Sequence, residues 1–137
     1  MLAADERLVG PDLRRMLASR ADQLYLMQAY DRALPLLRLV ERVAIQAGDL
    51  EGLAAAYHNT ANIFSLTRQF PEALELYQHQ LSIEQDLKND AGVAGAWLGL
   101  ATTQYSQGDY VTALASRDAW RDPSRDLSDL LLAPVRQ

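Results

Sequence analysis

Two asparagines, Asn59 and Asn62, stand three residues apart in the stretch "AYHNTANIF", whose apolar residues otherwise recur at helical spacing. Asn is a poor residue for a helix interior, because its side chain competes for backbone hydrogen bonds. A pair on nearly one face therefore calls for a use. An Asn amide donates and accepts at once, so it can pair with the N–H and the C=O of a passing peptide segment. The plain alternative is a polar face turned to water.

Little else in the chain could do chemistry. The two histidines, His58 and His79, fall on different helices and lack a spaced carboxylate–histidine cluster. Glu75 and His79, at i and i+4, make at most a surface pair, and no metal site is predicted. "GVAGAWLG" matches no phosphate-binding fingerprint, and its glycines lie inside a predicted helix. Ser and Thr hydroxyls have no His–Asp support. With no cysteine there is neither a thiolate nucleophile nor a disulfide framework. The expectation is no enzyme, no catalytic residue, no metal and no cofactor.

The 137 residues suit one domain with a real core. A net charge of −5 argues against nucleic acid as the main partner. The charge is uneven: residues 1–48 hold seven Arg and six acids (+1), residues 49–137 six bases and twelve acids (−6). No apolar run reaches the roughly 18 residues of a membrane span. The start, "MLAADERLVGPDL", lacks a basic, then apolar leader, so a cytoplasmic location is expected by default. Twelve of the thirteen basic residues are Arg, the composition of a GC-rich coding genome and hence of a bacterium.

The elements that must position Asn59 and Asn62 emerge when the sequence is shifted by forty. Tyr30, Phe70 and Tyr110 then coincide, as do Ala33, Ala73 and Ala113, and Leu34, Leu74 and Leu114. Leu17, Tyr57 and Trp97 share the spacing, and so do Ala21, Ala61 and Ala101. Repeats of this length mean a stacked array. Each unit reads as two helices, predicted near 11–28, 31–47, 50–67, 71–88, 91–107 and 110–121. Asp49, Asp90 and Asp109 are the candidate helix caps, and Pro71 suits a first turn. The alanines let paired helices approach closely. The turn aromatics wedge the joints, and Tyr57 and Trp97 fill space between units, with Tyr57, Ala61 and Phe64 on the buried face.

The third unit, "AWLGLATTQYSQGDYVTAL", resembles the tetratricopeptide repeat through Trp97, Leu100, Ala101 and Ala113. The second resembles it through Tyr57, Ala61, Phe64, Phe70, Ala73 and Tyr77, with Thr60 in place of Leu. In the first, Leu17, Ala21, Leu24, Tyr30, Ala33 and Leu37 fit, and Arg20 replaces Leu. The period of forty is similar to that of the long-helix subclass. The resemblance implies an all-α fold: a right-handed α-solenoid of three helix-turn-helix repeats, about 11–48, 50–89 and 90–122, in a single domain of residues 1–137. Pro123 breaks the last helix, and "SRDLSDLLLAPV" after it can form a short amphipathic helix with Leu127, Leu130 and Leu131 inward. Residues 124–133 either cap the array or begin a further helix of a longer protein.

The resemblance also implies a function. In such arrays the first helix of each unit lines a groove that binds a peptide, and "Asn59-Thr60-Ala61-Asn62" falls where long-helix members carry Asn-Leu-Gly-Asn. The expected peptide groove comprises Asn59, Asn62, His58, Asp22, Tyr25, Leu98, Thr102 and Tyr105. The equivalents of the Asn pair are Ser19 and Asp22 in the first unit and Gly99 and Thr102 in the third. The family's clamp for a C-terminal carboxylate is matched only at Asn59; Asp22, Gly95 and Gly99 replace its Asn, Lys and Arg, so that ligand is not expected. Gly95 and Gly99 weaken a helix by roughly 0.5–1 kcal/mol each relative to Ala. A ligand or a neighbouring helix coming close would offset this; neutral drift is the alternative. The expected role is a scaffold for a protein or peptide partner, without nucleic acid or membrane. The alternatives are self-association as a homodimer and a sensor segment of a larger signalling protein.

Overall fold

A computed structural model describes residues 11–119. They form six α-helices and, among the described residues, no strand. The helices are α1 Pro11–Leu26, α2 Tyr30–Ala47, α3 Leu50–Leu66, α4 Phe70–Asp86, α5 Asp90–Gln107 and α6 Tyr110–Ala119. Each lies within two residues of the range expected from the sequence. The proposed cap at 124–133 lies outside the described residues.

Every helix packs on the next, and α3 also touches α1 and α5. A Cβ added to Gly92 would meet Glu84, and one added to Gly99 would meet Tyr77. These pairs sit four and eleven residues either side of Lys88. Contacts symmetric about a loop are those of an antiparallel helix pair.

The turns between helices are one turn used five times. A residue with positive φ closes each: Gln28 (60°), Gly48 (66°), Arg68 (64°), Lys88 (54°) and Gly108 (94°). The residue after it donates its N–H to the carbonyl five back: Ala29 to Leu24, Asp49 to Ala44, Gln69 to Phe64, Asn89 to Glu84, Asp109 to Gln104. This is the six-to-one bond of a Schellman ending, which satisfies carbonyls orphaned at a helix C-terminus. The forty-residue repeat therefore contains a twenty-residue backbone repeat.

Helix starts are capped by side chains in three cases. Asp49 Oδ1 accepts from Gly52 N–H (2.9 Å), Asn89 Oδ1 from Gly92 N–H (3.3 Å) and Asp109 Oδ1 from Thr112 N–H (3.2 Å). Asp90 is not the cap expected from the sequence. It is the first helical residue, and Asn89 before it caps the helix instead. Asp49 also forms an ion pair. Its Oδ2 lies 2.5 Å from Arg14 Nε, tying α1 to the turn between α2 and α3.

The core bears out the alanine columns. Ala21, Ala61 and Ala101 are buried, as are Ala33, Ala73 and Ala113. One buried cluster joins Ala21, Leu24, Ala33, Leu37 and Ile63; a second joins Ala61, Ala73, Tyr77, Leu81, Ala96, Trp97 and Leu100. Two expectations are corrected. Trp97 is buried, but Tyr57 and Phe64 are only partly so, and Ile63 takes the deep position on α3. The turn aromatics are not full wedges either: Tyr30 and Phe70 are half-buried and Tyr110 is exposed. Each instead lies against a local neighbour: Tyr25 for Tyr30 (5.7 Å between centroids), the Arg68 guanidinium for Phe70 (5.3 Å), Tyr105 for Tyr110 (4.9 Å).

Left-handed backbone costs a residue with a Cβ about 1–2 kcal/mol. Lys88 adopts it. Lys88→Gly should therefore stabilise the protein by ~0.5–1 kcal/mol, after the extra chain entropy of glycine is subtracted. A thermal melt checks this. An unchanged or lower Tm would show that the strain at this turn is negligible.

Candidate functional site

Three adjoining hollows run along α1, α3 and α5, the last of them between α5 and α6. The first is lined by Ala21, Asp22, Tyr25, Leu37, Asn59 and Asn62. The second, about 340 Å³, is lined by Tyr25, His58, Asn62, Ser65, Leu66, Tyr77, Gly95, Leu98, Gly99 and Thr102. The third, about 550 Å³, is lined by Leu98, Ala101, Thr102, Tyr105, Tyr110, Ala113, Leu114 and Arg117. Tyr25 and Asn62 belong to the first two, and Leu98 and Thr102 to the last two, so the hollows form one groove. All eight residues expected at a groove from the sequence line it.

Its two asparagines are not alike. Asn62 Oδ1 accepts a hydrogen bond from the Tyr77 hydroxyl, across from α3 to α4. Asn59 lies in the first hollow beside Asp22, and no side-chain bond holds it among the described residues. In sequence the pair looked like one device; in the fold it is divided.

Tyr77 is the centre of the site. Its side chain is 2% exposed. One ring face has no room for a side chain at position 99, because a Cβ on Gly99 would overlap the Tyr77 ring. The His58 ring stands edge-on, 5.8 Å from it. Gly99 is thus required by a neighbouring helix. Gly95, one turn earlier, is different: a Cβ there would meet nothing within 4 Å. The two glycines, indistinguishable in sequence, have separate reasons. In the sequence Tyr77 stood out only as one of the residues that carry the repeat resemblance, and nothing linked it to Asn62.

The other polar groups of the second hollow are largely engaged. His58 Nδ1 lies 2.9 Å from Gln80 Oε1, so with that oxygen as acceptor the proton sits on Nδ1. Ser65 Oγ lies 3.0 Å from Thr103 Oγ1, joining α3 to α5. Thr102 Oγ1 donates to the Leu98 carbonyl at 2.8 Å. Behind the third hollow, buried Ser116 donates to Gln104 Oε1 at 2.7 Å. Outside the groove, Glu75 and His79 form the exposed pair expected (3.7 Å), and the His79 ring lies 5.7 Å from Tyr57. Among the described residues no three His, Cys, Asp or Glu come together as a metal site. None of the described helices is long and apolar enough to cross a membrane.

The chain matches no family model, no curated protein and no solved structure. The groove must be read from its own geometry.

That geometry has a titration signature. Burial raises the Tyr77 phenol from 10.0 to about 12; nearby Tyr25 adds to the rise, and a hydrogen bond from Thr103 opposes it. A pKa raised on folding means that the neutral form stabilises the fold. That stability is fully present below pH 10 and is lost as pH rises through about 12. The Tm of wild type should hold up to pH 10 and then fall. Tyr77→Phe should melt lower than wild type at neutral pH and lose less between pH 10 and 12. Parallel falls in the two proteins would show that the phenol is not the group responsible.

Proposed function

We propose that this protein is an interaction scaffold that holds a peptide segment of a partner protein in the groove along α1, α3 and α5. In this reading the helix pairs α1–α2, α3–α4 and α5–α6 are three tetratricopeptide-like units of a right-handed solenoid, and the groove is its concave face. One observation carries it: eight residues chosen from the sequence as groove residues, drawn from three separate helices, line one continuous groove. The twenty-residue recurrence of the turns supports the repeat. A bacterial setting belongs to the same reading and rests on composition, with twelve of thirteen basic residues arginine.

The test uses the division between the asparagines. Asn62→Ala leaves the buried Tyr77 hydroxyl without its acceptor, which should cost ~1–3 kcal/mol of stability. Asn59→Ala removes no internal bond, and Ala is the better helix former by up to ~0.7 kcal/mol, so its Tm should hold or rise. Its effect should instead appear in a pull-down of partners by wild type and variant. A lost peptide hydrogen bond weakens binding by about 0.5–1.5 kcal/mol. Partner capture unaffected by Asn59→Ala would remove Asn59 from the binding surface.

A second reading is favoured by the far end of the groove. Tyr105, Tyr110, Val111 and Leu114 are each more than half exposed, an apolar patch of the kind that marks an interface. Two copies that meet there would form a homodimer. Sedimentation then shows a dimer that Leu114→Asp converts to a monomer. A monomeric wild type at tens of micromolar would dismiss this reading.

A further inference from the structure

The second hollow has spent most of its hydrogen-bonding capacity on itself. Tyr77 and Asn62 bond to each other, as do Ser65 and Thr103, and His58 and Gln80, while Thr102 bonds back to its own helix. Beside the Tyr25 hydroxyl, the second His58 nitrogen and the Asn62 amide N–H groups, what remains to offer a ligand is apolar. Leu66 is 55% and Leu98 63% exposed at its margins. On α5, one turn before Leu98, Gly95 leaves a notch in the wall of the hollow in which even a Cβ would meet nothing within 4 Å. Unlike Gly99, Gly95 has no packing reason to be glycine. The hollow's volume of about 340 Å³ lies within the range of ligand sites, roughly 300–1,000 Å³. None of its ten lining residues is an acid, a lysine or an arginine.

The first hollow is the opposite case. Asp22 and Asn59 line it, and no side-chain hydrogen bond or ion pair engages either among the described residues. Among the described residues, the one other Asp, Glu, Lys or Arg in these linings is Arg117, whose Nε lies 3.3 Å from Asp118 Oδ1. Asp22 is thus the uncompensated charge of the groove, on a chain of net charge −5.

We propose that the groove selects a segment with two features: a bulky neutral side chain, aliphatic or aromatic, seated in the Gly95 notch of the hollow lined by Leu66 and Leu98, and a basic residue facing Asp22. This rests on the reading of the groove as a peptide site and adds the partner's chemistry. The apolar side chain gains burial without displacing a hydrogen bond. The cation and Asn59 supply polar register at the other end. An acidic segment is disfavoured, because it meets Asp22 and, among the described lining residues, no unpaired Lys or Arg offsets the repulsion.

The test selects a phage-displayed library of random dodecamer peptides on the full chain. Enriched peptides should share one large apolar residue and one Arg or Lys at a fixed offset. Gly95→Leu fills the notch and should weaken them about tenfold or more, with Tm unchanged or higher. Gly95→Ala should give a smaller loss of the same sign, and circular dichroism confirms that both variants fold. Asp22→Asn should weaken binding severalfold and flatten its salt dependence. Peptides lost on Leu98→Asp but indifferent to Gly95→Leu would overturn the notch and leave the groove reading standing. Acidic consensus peptides, or ones indifferent to Asp22→Asn, would overturn the charge preference. Peptides indifferent to Leu98→Asp as well, or no enrichment at all, would overturn the groove reading and the proposal together.

Discussion

The turn that recurs every twenty residues is the constraint on which the rest depends. One residue in left-handed backbone at 28, 48, 68, 88 and 108 ends each of the first five helices and sends the chain back along it. Because the spacing never varies, each helix presents the same face to the helix before it. Only then can a column such as Ala21, Ala61 and Ala101 mean the same thing three times. Only then does a residue of α1 fall in line with residues of α3 and α5. A groove lined chiefly from α1, α3 and α5, with α6 at its far end, is therefore set in phase by five turns, none of whose left-handed residues lines it. The energetic cost falls on Gln28, Arg68 and Lys88, which adopt this conformation with a Cβ. Two of the five turns lower it with glycine.

Between the turns, Tyr77 does for the second half of the chain what no aliphatic residue could. It stands where the first unit has Leu37, and both are buried. Leucine fills space and stops. The longer tyrosine reaches over the bare backbone of Gly99 on α5 and ends on Asn62 of α3. One side chain thus links α3, α4 and α5. A hydroxyl this buried needs an acceptor, and a polar residue on the inner face of α3 provides it. The combination also removes one donor and one acceptor from the groove wall, since they satisfy each other.

Much of this was legible in the sequence, for a physical reason. Packing columns repeat because helices of equal length stack with equal offset, so the helix positions and the alanine columns could be read directly. The groove residues came from the resemblance of the units to the tetratricopeptide repeat, which implies a groove lined by the first helix of each. What escaped depended on single contacts. The left-handed turns at Gln28, Arg68 and Lys88 carry no glycine to announce them. The cap at α5 lies on Asn89 and not Asp90, because a cap depends on one residue of register and both residue types are suitable. The partial exposure of Phe70 and Tyr110 escaped because a repeat column states which residues are equivalent and not how deep each one lies. Phe70 is half-covered, whereas Tyr110 at the equivalent position is open.

The two asparagines show where such reading must stop. Three residues along a helix turn the chain about 300°, which leaves the two side chains some 60° apart on one face. From the sequence they share an environment. Yet a turn of about 60° is enough for one to meet α4 and the other to look into the hollow beside α1. The neighbour decides: at Asn62 it is a buried phenol that must be satisfied, and at Asn59 it is Asp22, which needs nothing from it. A residue bound inside the fold has its orientation fixed and its amide partly consumed. A residue left unbound keeps both its donors and its acceptor. Of two identical side chains on one face, the one that the fold does not use is therefore the better candidate for recognition, even though the other is the more firmly placed.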